Sequence, residues 1–263
     1  MSGNNIQKFL HQLDKVGGVY CVKKQAVPDE FENFYLGVRE SEKRLLSDDE
    51  VSDLPVIKNS PHKKEWEKRA RSAIRLDKYF AGLQAGTVLD LGCGNGWFTA
   101  LLSKNSNFEV LGMDVNLTEL KQAERVFRKS NLSFLFGDIF QTQFPENTFD
   151  YITINAVIQY FEDLDLLISK LFEILKTGGE IHFIDSPFYN MEELAGAKQR
   201  TISYYNGKGF SEMSKYYFHH SWSEISKFDP VVLYDNKSKS KILRFFIKQD
   251  MPFPWIKIVN KNG

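Results

Sequence analysis

The sequence predicts an α/β fold built on a parallel sheet, and three observations carry that prediction. An apolar run, Val88-Leu89-Asp90-Leu91, feeds a turn with glycine at every second position, Gly92-Cys93-Gly94-Asn95-Gly96, and then a helix start at Trp97-Phe98-Thr99. A strand that enters a glycine turn and a helix is how such a sheet opens a cofactor crevice at its carboxyl edge. The next two apolar runs, Phe108 to Met113 and Leu132 to Gly137, each close on an acid, Asp114 and Asp138. Finally, a helical pattern from Leu164 to Lys176 separates two further apolar runs, as crossover connections require.

The elements follow in order. Residues 1 to 60 read as an irregular extension: a short helix near Asn5 to Lys15, short strands at Val19 to Lys24 and Phe34 to Val38, then the acidic Ser47-Asp48-Asp49-Glu50. Residues 61 to 84 read as a basic helix whose buried stripe holds Trp66, Ile74, Leu76, Tyr79 and Phe80. The fourth strand is Phe149 to Ala156, with Asn155 at its end, and the fifth is Gly178 to Asp185. Val231 to Tyr234 and Ile242 to Ile247 read as two last strands joined by the polar turn Asp235 to Ser240. The expected division is an extension over 1–60 and one domain over 61–263, interrupted by an aromatic insertion at about 189–227.

The glycine loop is not a dinucleotide fingerprint, because Trp97 stands where the third glycine of G-x-G-x-x-G would be. The pattern Asp90-x-Gly92-x-Gly94-x-Gly96 instead resembles motif I of the class I S-adenosylmethionine-dependent methyltransferases, of the type called methyltransferase domain 11. The resemblance implies a doubly wound, Rossmann-like sheet of seven strands with an antiparallel last strand, and S-adenosylmethionine as cofactor. It implies that Asp90, Gly92, Cys93, Gly94 and Gly96 form the loop beside the methionyl and ribose groups. Asp114 and Val115 are then expected at the ribose, Asp138 at the adenine amino group, Ile139 against the adenine ring, and Asn155 facing the cofactor or the reaction. Arg71, or its neighbour Arg69, would pair with the cofactor carboxylate from the helix before the first strand. Some relatives carry a cysteine-rich metal ribbon in front of the catalytic domain. This chain has Cys21 alone in that region and no C-x-x-C, so no metal is expected.

Composition narrows the partners. Thirty-four basic and 34 acidic residues cancel, so no global field draws the chain to nucleic acid or anionic lipid. An apolar fraction of 42% supplies a substantial core, yet no run is long enough to span a bilayer. Met1 to Asn5 lacks the basic flank of a signal peptide, and the distant Cys21 and Cys93 read as reduced thiols, so the expected compartment is the cytoplasm.

The methyl acceptor is read from what remains. The insertion carries Tyr204-Tyr205 and Tyr216-Tyr217-Phe218-His219-His220-Ser221-Trp222, which suits a lid over a small organic acceptor, with Gly207-Lys208-Gly209 as its hinge. His219 and His220 are the candidate bases, while His182 alternates with apolar residues in a buried strand and reads as a core histidine. Tyr160, Tyr189 and Asn155 are candidates to orient the acceptor. Enzymes of this fold that methylate base amines carry an Asn- or Asp-Pro-Pro-aromatic tetrapeptide after the fourth strand; here the sequence is Asn155-Ala156-Val157-Ile158. A small-molecule acceptor is therefore the leading expectation. The alternatives are a protein or RNA methyltransferase using the basic run Lys63 to Arg75, or a silent cofactor-binding scaffold.

Overall fold

The computed structural model describes residues 3–22, 29–57, 60–236 and 250–261. A nine-stranded sheet forms its centre. The strands are β1 (Asp14–Val16), β2 (Val19–Cys21), β3 (Gly86–Leu91), β4 (Phe108–Asp114), β5 (Leu132–Phe136), β6 (Phe149–Asn155), β7 (Leu175–Ile184), β8 (Val231–Tyr234) and β9 (Trp255–Val259). Their order across the sheet is β1-β2-β5-β4-β3-β6-β7-β9-β8. All neighbours from β2 to β7 run parallel, whereas β9 is antiparallel to both β7 and β8. The chain order reverses at β3, which pairs with β4 on one side and β6 on the other. A crevice outside the carboxyl ends of the strands is expected at such a switch point.

Helices cover both faces, so the central strands are apolar throughout; all six residues of β3 are buried. On one face lie α4 (Lys63–Phe80), α5 (Trp97–Leu102) and α6 (Leu117–Val126), with Leu76, Phe80, Phe98 and Leu120 packed on Val88, Val110 and Phe134. On the other, α1 (Gly3–Leu10) and α7 (Leu164–Ile174) bring Ile6, Leu10, Leu167, Ile168 and Leu171 against Leu89, Leu111 and Ile152. Each such side chain contributes about 1.5–3 kcal/mol by leaving water. The helix starts are fixed by side chains: Asn116 Oδ1 accepts from Glu119 N at 3.0 Å, and Asp163 Oδ1 accepts from Leu166 N at 2.9 Å.

Several expectations change. The extension is not irregular, because β1 and β2 join the main sheet and Ile6, Leu10, Val19 and Tyr20 enter its core. Phe34 to Val38 is no strand; it lies inside α2 (Asp29–Ser41), since Phe31, Tyr35 and Val38 recur at helical spacing and pack as one face. A short α3 (Asp48–Ser52) follows, capped by Ser47. The insertion consists of α8 (Met191–Lys208), a tight helical turn (Ser211–Tyr216) and α9 (Trp222–Ser226). Gly207 and Lys208 belong to the last turn of α8, and Gly209, at φ 79°, ends it in the left-handed conformation. The expected strand Ile242 to Ile247 lies outside the described residues; the strand antiparallel to β7 is Trp255–Val259. No helix among the described residues is long and apolar enough to cross a membrane.

Candidate functional site

A cavity of about 630 Å³ opens at the carboxyl ends of β3, β4, β5 and β6. Its floor is the glycine loop. Gly92 N and Cys93 N both donate to Met113 O, at 2.8 and 3.1 Å, which lashes the loop to β4. Gly92, Gly94 and Gly96 have φ of 73°, 51° and 75°, a region costly for residues with a Cβ. The three glycines differ in purpose. A Cβ on Gly92 would lie 2.4 Å from a methyl of Val157, and one on Gly96 would lie 2.6 Å from Ala123 Cβ and 2.8 Å from the Phe134 ring. A Cβ on Gly94 would meet only the Glu119 carboxylate, at 3.2 Å, and would otherwise stand in the cavity.

The three aspartates that line the cavity do so in different ways. Asp90 is 1% exposed; its carboxylate accepts from Thr99 Oγ1 at 2.6 Å and Thr153 Oγ1 at 2.8 Å, joining the loop helix to β6. Burial pushes its pKa up to about 6. Asp114 accepts from Gly94 N and Asn116 N, both at 2.8 Å. Burial, with the nearby Glu119 carboxylate second, pushes Asp114 up to about 7. Asp138 accepts from Phe140 N at 2.9 Å, an arrangement that aims the strand-end carboxylate along the following turn. Val115, Ile139 and Asn155 complete this half of the wall, and Asn155 Oδ1 is a buried acceptor with no protein partner.

The opposite half comes from three separated segments: α2, the turn after β6, and the insertion. Phe31 and Tyr35 on α2 meet Tyr160 edge-on, with ring centres 5.8 and 5.9 Å away. Tyr216 meets Phe31 at 5.4 Å and Tyr217 meets Tyr160 at 6.1 Å. The two covering segments interlock closely, since a Cβ on Gly37 of α2 would lie 2.7 Å from the Phe210 ring. Arg39 reaches from α2 to Glu119 at 3.3 Å, with its guanidinium 5.7 Å from the Tyr35 ring centre. Arg44 bridges Glu42 and Glu65, both at 2.7 Å, and Arg69 approaches Glu65 at 3.1 Å.

Of the residues singled out from sequence, Asp90, Gly92, Cys93, Gly94, Asp114, Val115, Asp138, Ile139, Asn155 and Tyr160 line this cavity together. Gly96 does not; it caps α5 and makes room for Ala123 and Phe134. Arg71 does not either, because two residues along a helix turn the side chain to another face, and Arg69 is the one on the wall. His219 and His220 line a separate cavity of about 340 Å³ with Lys198, Thr201 and Glu224. His219 Nε2 lies 2.9 Å from Thr201 Oγ1, and the 2% exposed His220 places Nε2 3.2 Å from Ile158 O. Tyr189 is held by backbone bonds to His220 and Trp222 and is absent from the main wall. His182 is fully buried, accepting from Trp255 Nε1 at 3.2 Å with its other nitrogen 3.1 Å from Glu180. Sequence reasoning missed Phe31, Tyr35, Arg39 and Glu119. Their signal was the helical spacing of Phe31, Tyr35 and Arg39, which places one face of α2 over the crevice.

A family model described as a methyltransferase domain matches residues 84–249. The chain belongs to that family. It is a methyltransferase, and S-adenosylmethionine is its cofactor. Over 211 residues it is 26% identical to a demethylmenaquinone methyltransferase of Listeria welshimeri, covering 76% of this chain and 80% of the relative. A phosphoethanolamine N-methyltransferase of Triticum aestivum is 31% identical over 132 residues, covering 48% of this chain and 26% of that one. Among solved structures, a geranyl diphosphate C-methyltransferase of Streptomyces coelicolor has a TM-score of 0.58 at 17% identity, covering 89% of this chain and 98% of the other. A phosphoethanolamine N-methyltransferase of Haemonchus contortus, with S-adenosylhomocysteine bound, has a TM-score of 0.60 at 17% identity over 88% of this chain and 60% of the other. At these identities the structural likeness speaks for the fold.

Proposed function

We propose that the chain transfers the methyl group of S-adenosylmethionine to a small organic acceptor enclosed between the glycine loop and the aromatic wall. The observation that carries this reading is a single cavity whose two halves differ: strand-end acids and open backbone on one side, rings from α2 and the insertion on the other. Its volume, about 630 Å³, is in the usual range for small-molecule sites. The relatives act on small acceptors by name, among them demethylmenaquinone and phosphoethanolamine.

The residues present fit the cofactor. Gly94 leaves free the space a Cβ would fill, and Asn155 Oδ1 is an orphaned buried acceptor on the same wall. When bound, the cofactor supplies a methyl group already activated on a sulfonium. In this assignment Asp114, beside Val115, accepts from the ribose hydroxyls, Asp138 accepts from the adenine amino group, and Ile139 packs on the ring. On the α4 side of the wall Arg69 stands where Arg71 does not, with its guanidinium already paired to Glu65. Asp90 ties Thr99 to Thr153 and keeps the loop in shape. Tyr160, at the junction of both halves, orients the acceptor. The remaining work is alignment and exclusion of water, which α2 and the insertion perform by covering the crevice. Within the basic run of α4, Arg69 and Arg75 are tied to Glu65 and Asp250, which takes two of its six cations away from a nucleic-acid footprint. The reading places the protein in the cytoplasm, where Cys21 and Cys93 stay as free thiols.

Calorimetric titration with S-adenosylmethionine and S-adenosylhomocysteine tests the cofactor half, with Gly94→Val as the blocked control. Micromolar binding that the folded variant loses is the expected result. The acceptor half is tested by incubating the protein with labelled cofactor and metabolite, protein or RNA fractions. Label entering only the protein or RNA fraction would overturn the small-molecule reading.

A further inference from the structure

The aromatic half of the cavity has a chemical bias of its own. Tyr160 sits at its centre, with the rings of Phe31, Tyr35 and Tyr217 between 5.8 and 6.1 Å away and nearly perpendicular to it. Tyr216 extends the cluster from Phe31. All five rings line the cavity. The face of an aromatic ring carries negative potential and attracts cations. The charges around the rings point the same way. Seven carboxyl side chains and three guanidiniums lie on the wall, and each guanidinium is within 3.3 Å of a carboxylate. Among the described residues no unneutralised cation faces the cavity to receive an anionic acceptor.

The same wall is short of imidazole and phenolate bases. No histidine lines it. Burial pushes the Tyr35, Tyr160 and Tyr217 phenols up, away from a phenolate at neutral pH. Six of the seven carboxylates, Glu42, Glu65, Asp90, Asp114, Glu119 and Asp138, are engaged by donors, and Glu32 is not without a partner either. The two carboxyls raised toward neutrality, Asp90 and Asp114, belong to the glycine-loop half, where Asp90 ties Thr99 to Thr153 and Asp114 is assigned to the ribose, so neither is assigned to deprotonate an alcohol acceptor. An alkylamine can shed its ammonium proton to bulk water before it enters the crevice, so that a free lone pair is delivered to the methyl group.

We propose that the acceptor is an alkylated amine, its nitrogen seated among Phe31, Tyr35, Tyr160, Tyr216 and Tyr217. The inference rests on the small-molecule methyltransferase reading above and names the substrate class for that site. The amine lone pair forms the new carbon–nitrogen bond while the methyl–sulfur bond breaks and its electron pair stays on sulfur. Positive charge thereby moves from sulfur to nitrogen, into the cluster of aromatic rings. Any proton left on the product ammonium passes to bulk water after release. No oxidant, metal or base from the protein is required.

The test uses the full chain saturated with S-adenosylhomocysteine, whose own titration comes first. The loaded protein is then titrated with choline and with 3,3-dimethylbutan-1-ol, which has the same shape without the charge. Choline is expected to bind about tenfold or more tightly than the neutral probe. Tyr160→Leu and, separately, the half-buried Tyr216→Leu should erase that preference while S-adenosylhomocysteine affinity stays within about twofold, and phenylalanine at either position should restore it. A purely structural role for the rings would not move the ratio of the two probes. Equal affinities, a preference that survives both leucine variants, or a loaded protein that binds neither probe would each overturn the proposal. Failure of the first titration would instead overturn the cofactor reading, and the amine proposal with it.

Discussion

The two halves of the cavity are built by different means. In the cofactor half the shape is set by backbone: Gly92 N and Cys93 N are bonded to Met113 O, Gly94 N to Asp114, and β3 is paired on both sides along its length. In the acceptor half the shape is set by side chains from residues far apart in sequence, Phe31, Tyr35, Tyr160, Tyr216 and Tyr217, held to each other by ring contacts. A backbone-built site keeps its form when surface side chains change, so it suits a cofactor shared across a family. A side-chain-built site can be re-cut one residue at a time, which suits an acceptor that differs between relatives.

The sharpest way to break that contrast is to add one methyl group at neighbouring glycines. Gly96→Ala drives a Cβ to within 2.6 Å of Ala123 and 2.8 Å of Phe134 at a left-handed φ. Overpacking and the backbone penalty together predict a loss of about 3–4 kcal/mol in urea unfolding. Gly94→Ala meets only the end of the Glu119 side chain, at 3.2 Å, so the left-handed cost of about 1 kcal/mol dominates. Its cofactor affinity should nevertheless fall about a hundredfold, or about 2.7 kcal/mol, because the methyl group occupies the cavity. A Gly94→Ala protein that binds S-adenosylhomocysteine normally would show that the cofactor does not cross this loop.

This difference also marks where the sequence stopped being informative. Asp114, Asp138 and Ile139 were legible because each ends an apolar run, and strand ends in a parallel sheet converge on one edge. Gly96 was read as part of the binding loop because sequence registers the need for glycine without saying what takes the space; Ala123 and Phe134 arrive from α6 and β5. The sequence offers both Arg69 and Arg71, two positions and so about half a turn apart, and only the start of α4 fixes that Arg69 is the one on the cavity wall. His219 and His220 have the right chemistry for a base, yet the turn before α9 directs both into the second cavity. The segment Phe34 to Val38 is aromatic and short, and it reads as a helix face only when Phe31 and Arg39 on either side are counted with it; the face packs on Tyr205 and Met213.

A smaller effect separates the acids that line the cofactor half. Asp114 is held up at about 7 by burial and then by Glu119, against about 3.9 for a free carboxyl. Between those values the unfolded chain has lost the proton while the folded chain keeps it, so the folded state binds more protons. This contribution is fully present below about pH 4 and disappears as pH rises through about 7. Asp90, at about 6, acts in the same sense over a narrower window. The cofactor-free protein should therefore lose stability relative to Asp114→Asn between these limits, by on the order of 2 kcal/mol. The amide brings its own constant penalty, so the comparison is the change with pH. Parallel pH curves for the two proteins in urea unfolding would mean that Asp114 is ionised in the folded state throughout.

The smallest expected effect lies at the seam between the halves. Arg39 carries α2 to Glu119 at 3.3 Å, and the pair is partly exposed to the cavity, so its contribution to global stability is about 1 kcal/mol or less. Its consequence is local. With the guanidinium replaced in Arg39→Met, α2 keeps the Gly37–Phe210 contact and the ring contacts of Phe31 and Tyr35, but loses its ion pair to α6. Opening of α2 then becomes easier without any change in the sheet, because cooperative units open with their own free energies. Amide hydrogen exchange should speed up severalfold over residues 29–41 and stay unchanged over 86–114. Saturation with S-adenosylhomocysteine should slow exchange in the second range far more than in the first. Exchange that accelerates across both ranges would mean the cover and the cofactor half open together, and the separation of cofactor and acceptor sites drawn above would be wrong.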